Sequence, residues 1–107
     1  MFNLNPSPTF KAPVPLSVPG VAKPLEVVFE FKHKTRTAME KWLAHYLSSP
    51  TVDVLDEVIA DWDLKRDGVA VPYSFSALAE LVESYTPSMG EISDAYIVEL
   101  TRAKRKN

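Results

Sequence analysis

The segment LEVVFEFK, residues 25–32, decides the fold of this 107-residue chain. Its apolar residues recur at every second position from Leu25 to Phe31, and three of the four positions between and after them are charged. A period of two is typical of a β-strand that buries one face and exposes the other. The sequence therefore predicts a half-buried strand over these eight residues.

A second strand is predicted upstream of it. Val14, Leu16 and Val18 also alternate, and Pro19-Gly20, which lies between the two segments, is a turn signal. Six of the nine prolines lie within the first 24 residues, and proline lacks the backbone N–H that an inner strand must donate. We expect an antiparallel hairpin with the proline-bearing strand at an edge, preceded by an extended arm over residues 1–11.

Four helices are predicted after the hairpin, because apolar residues recur there at spacings of three and four. The residues expected on the inward faces are Met39, Trp42, Leu43, Tyr46 and Leu47 in the first helix, Val52, Leu55, Ile59 and Trp62 in the second, Phe75, Leu78, Val82 and Tyr85 in the third, and Ile92, Tyr96 and Leu100 in the fourth. The fold class predicted is α+β, an N-terminal hairpin packed on a bundle of about four helices in one domain, residues 1–107.

The expected helix boundaries come from capping signals. Thr37–Glu40 and Ser88–Glu91 have the spacing of capping boxes, in which each side chain satisfies a backbone N–H of the first turn. Ser74 is expected to cap the third helix, and Pro50 to lie in the first turn of the second. The polar residues 63–72 are predicted to form a loop.

The last helix carries more apolar surface than one inward stripe needs. Ile97 and Val98 fall away from the stripe on a helical wheel, which indicates either burial or a partner surface. A strand through residues 95–100 is the alternative, since both residues are β-branched. The capping signal before this segment favours the helix.

Charge and composition exclude several classes of function. The chain has 12 Lys plus Arg against 14 Asp plus Glu, and residues 51–100 carry two of the basic and eleven of the acidic groups. This acidic body is unsuited to binding nucleic acid, which needs a broad basic surface. No apolar run approaches the length of a membrane span, and cysteine is absent, so we expect a cytoplasmic protein without membrane contact.

Catalytic and metal-binding patterns are missing from the sequence. His33 and His45 do not share a metal-binding spacing, and the acidic series Asp61, Asp63 and Asp67 does not match the register of a calcium loop. With three glycines there is no phosphate-binding loop, and no serine lies in a nucleophile elbow. We therefore expect no catalytic residues, no cofactor and no metal.

Partner binding is the role that remains for residues without a catalytic or metal-binding pattern. The basic tail, residues 101–107, is expected to bind an acidic surface of a partner. The candidate partner-binding residues are Val14, Leu16 and Val18 on the edge strand, Trp62 and Tyr73 beside the acidic loop, Ile97 and Val98 on the last helix, and Arg102, Lys104, Arg105 and Lys106 in the tail.

The succession of segments resembles the tail assembly chaperones of long-tailed bacteriophages and prophages. The resemblance covers nearly the whole chain and rests on VIADWDL, residues 58–64, VPYSFSALAELVESY, residues 71–85, and the ending EISDAYIVELTRAKRKN, residues 91–107. It implies a non-catalytic protein of the host cytoplasm that binds the tape-measure protein and helps to recruit tail-tube subunits. It further implies absence from the mature virion. The strand edge of residues 12–18 and the apolar face of Ile97 and Val98 are expected to serve either client binding or self-association into a homo-oligomer.

Two other functions remain open at this stage. A small phage or bacterial adaptor, or an immunity-type protein, could use the acidic body to bind a basic protein. A small hydrolase would need a pair of carboxylates of which one is desolvated, and no carboxylate interrupts an apolar stripe in this sequence.

Overall fold

A three-stranded antiparallel sheet with helices packed on its inner face forms the body of the protein, so the predicted α+β class is confirmed. The computed structural model describes residues 2–102. Its elements are β1 (Thr9–Leu16), β2 (Leu25–Lys32), α1 (Arg36–Ser48), α2 (Val52–Asp56), β3 (Ile59–Trp62), β4 (Lys65–Arg66), β5 (Val69–Ala70), α3 (Phe75–Ser84) and α4 (Ser88–Thr101). The strand order in the main sheet is β1-β2-β3.

The predicted hairpin of β1 and β2 is confirmed, with residues paired from Thr9 opposite Lys32 to Leu16 opposite Leu25. In the connection, the Val21 N–H donates to the Val18 carbonyl at 3.0 Å, and Gly20 has a φ of +80°. Proline followed by a glycine of positive φ is the signature of a type II turn. The arm is shorter than expected: because the strand begins at Thr9, the arm covers only residues 2–8 of the described chain.

The core centres on Tyr96 of α4, which is fully buried. Its ring lies 5.1 Å from the Phe31 ring, 5.3 Å from the Trp42 ring and 6.0 Å from the Phe10 ring, measured between centroids. Its hydroxyl donates to the Lys32 carbonyl at 2.9 Å. One side chain thereby connects both strands of the hairpin with α1 and α4, and the polar end of the ring keeps a partner in the interior.

The predicted second helix is wrong over its last part. α2 ends at Asp56, and Ile59 to Trp62 form β3, antiparallel to β2. The second helix was inferred from apolar residues spaced by three and four. β3 shows the same spacing, because a bulge in its pairing with β2 lets Ile59 and Trp62 both face the core. The pairing of β2 with β3 ends at Asp63. The Asp63 N–H donates to the Val28 carbonyl, and the Asp63 carboxylate accepts from the Val28 N–H. Hydrogen bonds to β2 thus outweigh local helix spacing here.

The segment predicted as a loop, residues 63–72, contains the small hairpin of β4 and β5. Its two-residue turn is Asp67-Gly68, and both residues have positive φ, 51° and 80°. This is the type I′ geometry that Asp-Gly favours between paired strands. The Asp-Gly dipeptide was the signal in the sequence from which this hairpin could have been predicted.

Helix starts follow the prediction at one of four places. Pro50 lies outside α2, because Thr51 is the cap of that helix and its hydroxyl accepts the Val54 N–H at 3.3 Å, so the placement of Pro50 in the first turn is wrong. Ser74 caps α3 by accepting the Ala77 N–H at 3.0 Å, as expected. α1 instead begins after Thr35, whose hydroxyl accepts the Ala38 N–H, so the capping box over Thr37–Glu40 is wrong. The second box is wrong as well, since Ser88 is the first helical residue of α4 and its hydroxyl donates back to the Tyr85 carbonyl.

Three residues expected on inward faces are exposed. Leu47 is 70% exposed, Phe75 45% and Tyr85 36%. α3 is rotated relative to the predicted phase, so that Leu78 and Leu81 are its buried residues. The inward residues predicted for the last helix, Ile92, Tyr96 and Leu100, are buried or partly buried in α4. This segment is a helix rather than a strand.

The buried phenols predict how stability depends on alkaline pH. Burial raises the pKa of Tyr96 to about 12, and burial together with a hydrogen bond to Asp56 raises the pKa of Tyr73. Unfolding returns both groups to an ordinary pKa of about 10, so the protonated phenols favour the folded state fully below that pH. We expect the free energy of unfolding, measured by urea titration, to fall as the pH rises from about 10 to about 12.

The Tyr96→Phe variant is expected to show a shallower alkaline decline, because one of the two phenols is gone. It is also expected to lose about 1 kcal/mol at neutral pH through the missing hydrogen bond to Lys32. An alkaline decline as steep as that of the unsubstituted protein would contradict the role given to this phenol.

Candidate functional site

The free edge of β1 lacks hydrogen-bond donors over the second half of its length, where the outward-facing residues are Pro13 and Pro15. The His33 N–H donates to the Pro8 carbonyl, so the backbone groups of the even-numbered residues of β1 face β2. Those of Pro13 and Pro15 face the open edge, where proline offers a carbonyl and no N–H. A partner strand needs alternating donors and acceptors, and the proline-bearing half of this edge therefore resists strand addition.

The next outward donor along this edge, the Ser17 N–H, is occupied by α4. It donates to both carboxylate oxygens of Glu91, at 3.0 and 3.2 Å, and the Ser17 hydroxyl donates to the same carboxylate. The contact joins residues 74 positions apart in the chain and fixes the start of α4 against the end of β1.

A cleft runs along this edge between β1 and α4, with a volume of about 410 Å³. We call it the β1–α4 cleft. It is lined by proline and other apolar residues together with three carboxylates: Pro13, Pro15, Ser17, Pro24, Glu91, Asp94, Ala95, Val98 and Glu99. The arrangement combines apolar surface, outward carbonyls and negative charge, which together suit a segment that brings apolar side chains and cationic donors.

A second concave surface lies at the turn end of the β1–β2 hairpin, with a volume of about 440 Å³. We call it the hairpin groove. Its walls come from the ends of β1 and β2, from the β4–β5 hairpin and from α3, and its apolar residues are Leu16, Val18, Leu25, Val27, Leu64, Val71, Ala77, Leu81 and Tyr85. On its rim the Arg66 guanidinium donates to Glu80 at 2.6 Å, which holds β4 to α3.

Two of the predicted binding residues on β1 belong to the core. Val14 is fully buried and Leu16 is 6% exposed, because the even-numbered side chains of β1 point toward the helices. Val14 lines neither concave surface, whereas the small exposed part of Leu16 lines the hairpin groove. Val18 lies beyond the end of β1 and lines the hairpin groove.

Trp62 and Tyr73 have structural partners in the described chain. The Trp62 indole N–H donates to the Val71 carbonyl at 2.8 Å, and the Tyr73 hydroxyl donates to Asp56 at 2.5 Å. Their rings meet edge to face with centroids 4.9 Å apart. This pair fixes the segment after β5 against α2 and β3, and the predicted contact role rests only on the half-exposed part of Tyr73.

The structure places the two predicted residues of the last helix in different surroundings. Val98 is 39% exposed and lines the β1–α4 cleft, whereas Ile97 is partly buried against the core. The structure thus brings Val98 together with the edge strand that was predicted to bind partners, although the contributing strand residues are Pro13 and Pro15. Arg102 is exposed, and Lys104, Arg105 and Lys106 lie outside the described residues.

Residues 2–102 contain no cluster of three His, Asp or Glu side chains placed to hold a metal ion. In the same part of the chain, no helix has the length and apolar character needed to cross a membrane.

The chain matches the phage tail assembly chaperone family over residues 1–107 and belongs to that family. The resemblance drawn from the order of its segments is confirmed at this level. Neither the curated proteins nor the solved structures that were compared include a match.

The contact between Glu91 and Ser17 predicts a local effect of mutation. Glu91→Ala removes the acceptor of the Ser17 N–H and is expected to lower the free energy of unfolding by about 1 kcal/mol. Faster amide hydrogen exchange at Ser17, followed by NMR, is the specific measurement. Asp94→Ala, which removes a carboxylate one turn further along α4, is the matched control, and equal effects of the two variants on Ser17 exchange would disprove the role of Glu91.

Proposed function

We propose that this protein is a non-catalytic tail assembly chaperone that binds the tape-measure protein in the β1–α4 cleft and helps to recruit tail-tube subunits around it. It would act in the cytoplasm of the infected host and be left out of the mature virion. Membership of the tail assembly chaperone family supports the general role. The observation that carries the choice of site is the cleft itself, which places apolar surface beside the part of the strand edge where Pro13 and Pro15 offer no donors.

The chemistry of the cleft favours a helical client segment over an extended one. A tape-measure protein is expected to be a long helical chain with apolar stripes that stay exposed until the tail tube encloses them. An amphipathic helix satisfies its own backbone and needs only side-chain contacts from its partner, whereas a strand would need the N–H groups that Pro13 and Pro15 lack. The exposed part of Val98 and the proline rings supply such apolar contacts.

The carboxylates of the cleft add a charge preference. Glu91 and Asp94 lie on the α4 wall. Lys and Arg side chains carry only donors, and their aliphatic stems can lie on apolar surface while the charged ends meet carboxylates. A client helix with basic residues flanking its apolar stripe fits this surface, and its binding should weaken as the salt concentration rises.

Co-expression with the tape-measure protein of the same phage tests this proposal. We expect the chaperone to keep the tape-measure protein in the soluble fraction and to co-purify with it. Val98→Asp introduces a charge on the apolar wall of the cleft and is expected to weaken the complex about tenfold, measured by titration of a soluble client fragment.

Leu47→Asp is the matched control, since Leu47 is 70% exposed on α1 and lines neither cleft nor groove. It is expected to bind the client as the unsubstituted protein does. Far-UV circular dichroism and thermal unfolding should show both variants folded. Full client binding by Val98→Asp would refute the choice of site, and failure of the unsubstituted protein to bind any tape-measure segment would refute the proposed function.

A further inference from the structure

The hairpin groove and the β1–α4 cleft meet at the end of the β1–β2 hairpin. Ser17 lines both surfaces. Pro24 lines the cleft, and Leu25, the next residue in the chain, lines the groove. Leu16 opposite Leu25 is the last pair of the ladder, so Ser17 and Pro24 are the first residues beyond it. The two surfaces therefore share a border at the hairpin end.

The two surfaces lie on opposite faces of β1. Side chains of a strand alternate between its two faces, and the exposed Pro13 and Pro15 alternate with the buried Val14 and Leu16. The cleft is lined by the two prolines, whereas the groove is lined by Leu16. A molecule that occupies both surfaces must therefore turn around the end of the hairpin.

The two surfaces differ in charge. Among the described residues, the lining of the cleft has three carboxylates and no basic side chain, whereas that of the groove has two carboxylates and two basic side chains, Lys65 and Arg66. Arg66 is already paired with Glu80. The cleft thus attracts cationic groups, and the groove, in which the formal charges balance, favours apolar groups.

The groove leaves apolar surface that its own chain does not cover. Leu25 is 59% exposed and Tyr85 is 36% exposed, although they share the groove with the buried Leu16 and Leu81. Apolar surface that continues from the core to the exterior in a concave site is typical of a place where another apolar group binds.

We propose that the hairpin groove is the second half of the client site, an inference that rests on the function proposed above. A single client segment binds the cleft through a basic amphipathic helix and the groove through an adjoining apolar stretch. The shared border carries this choice of occupant, because a segment that leaves the cleft at Glu91 passes Ser17, the hydrogen-bond partner of Glu91, and arrives at the groove.

The path around the hairpin end defines the shape of the client. One sheet layer is about 10 Å thick, a distance that about three extended residues cross. A straight helix cannot follow this turn, so the client helix has to end there. We therefore expect a helix-breaking glycine or proline between the basic part and the apolar part of the client segment.

The two contacts strengthen each other because they belong to one client chain. Once the helix occupies the cleft, the apolar stretch is held close to the groove, and its binding becomes intramolecular. The contribution of the cleft should weaken as salt screens its charges, whereas the contribution of the groove comes from burial of apolar surface and should persist.

Titration with two tape-measure fragments tests the proposal. The full fragment is the shortest piece of the tape-measure protein of the same phage that binds the unsubstituted protein with full affinity, and the trimmed fragment lacks the apolar stretch. Leu25→Glu places a charge in the groove at an exposed position. We expect this variant to bind the full fragment about tenfold more weakly and the trimmed fragment as well as the unsubstituted protein does.

The same titrations contain the controls. Val98→Asp, in the cleft, should weaken the binding of both fragments, and Leu47→Glu, outside both surfaces, should weaken neither. Unchanged binding of the trimmed fragment by Leu25→Glu also shows that this variant is folded.

Thiol protection gives a second measurement without a charge in the groove. The chain has no cysteine, so Leu25→Cys, Val98→Cys and Leu47→Cys each carry a single reactive thiol. The full fragment is expected to slow alkylation of Leu25→Cys and Val98→Cys, and the trimmed fragment to slow that of Val98→Cys alone. The thiol of Leu47→Cys should react at the same rate throughout.

Several outcomes would overturn the proposal. One is equal weakening of both fragments, or of neither, by Leu25→Glu. Another is a Leu25→Cys thiol that stays reactive while the full fragment protects Val98→Cys. Protection of Leu25→Cys by a higher concentration of the chaperone alone, or by tail-tube protein alone, would give the groove to a different occupant. If no tape-measure fragment binds the unsubstituted protein, the proposed function fails together with this inference, whereas client binding that leaves the groove open refutes this inference alone.

Discussion

The contact on which the rest of the structure depends is the burial of Tyr96 between the hairpin and the helices. Its ring contacts aromatic rings from β1, β2 and α1, and its hydroxyl donates a hydrogen bond to the carbonyl of the last residue of β2. A two-stranded ribbon is not stable in water by itself, so the hairpin needs a covering layer. α4 provides much of that layer, and its position along β1 determines both the width and the lining of the β1–α4 cleft.

The parts of this architecture that follow from local patterns could be predicted from the sequence. Alternation of apolar and polar residues predicted the hairpin, the Pro19-Gly20 pair predicted its turn, and Ser74 predicted the start of α3. Ile59 to Trp62 could not be assigned from spacing alone, because two inward residues three positions apart satisfy a helix as well as a bulged strand. Pairing with β2, a contact about thirty residues away, decides between them.

The structure places the predicted partner-binding residues in different surroundings. The edge strand and Val98 do share one surface, yet the alternation that identified Val14 and Leu16 as important reflects their burial in the core. The prolines between them, read in the sequence only as markers of an edge, supply the side chains of the cleft. Glu91 shows the same limit: its spacing to Ser88 suggested a cap, and only the fold reveals Ser17 as its partner.

The bond between Glu91 and Ser17 joins the beginning of the chain to its last helix, and this has a consequence for synthesis on the ribosome. The hairpin can pair as soon as residue 32 has left the exit tunnel, because its contacts are local. The apolar face of that hairpin then stays exposed to solvent until α4 has been translated and has emerged from the ribosome. A nascent chain of this protein therefore passes through a period in which apolar side chains of the hairpin are exposed to solvent.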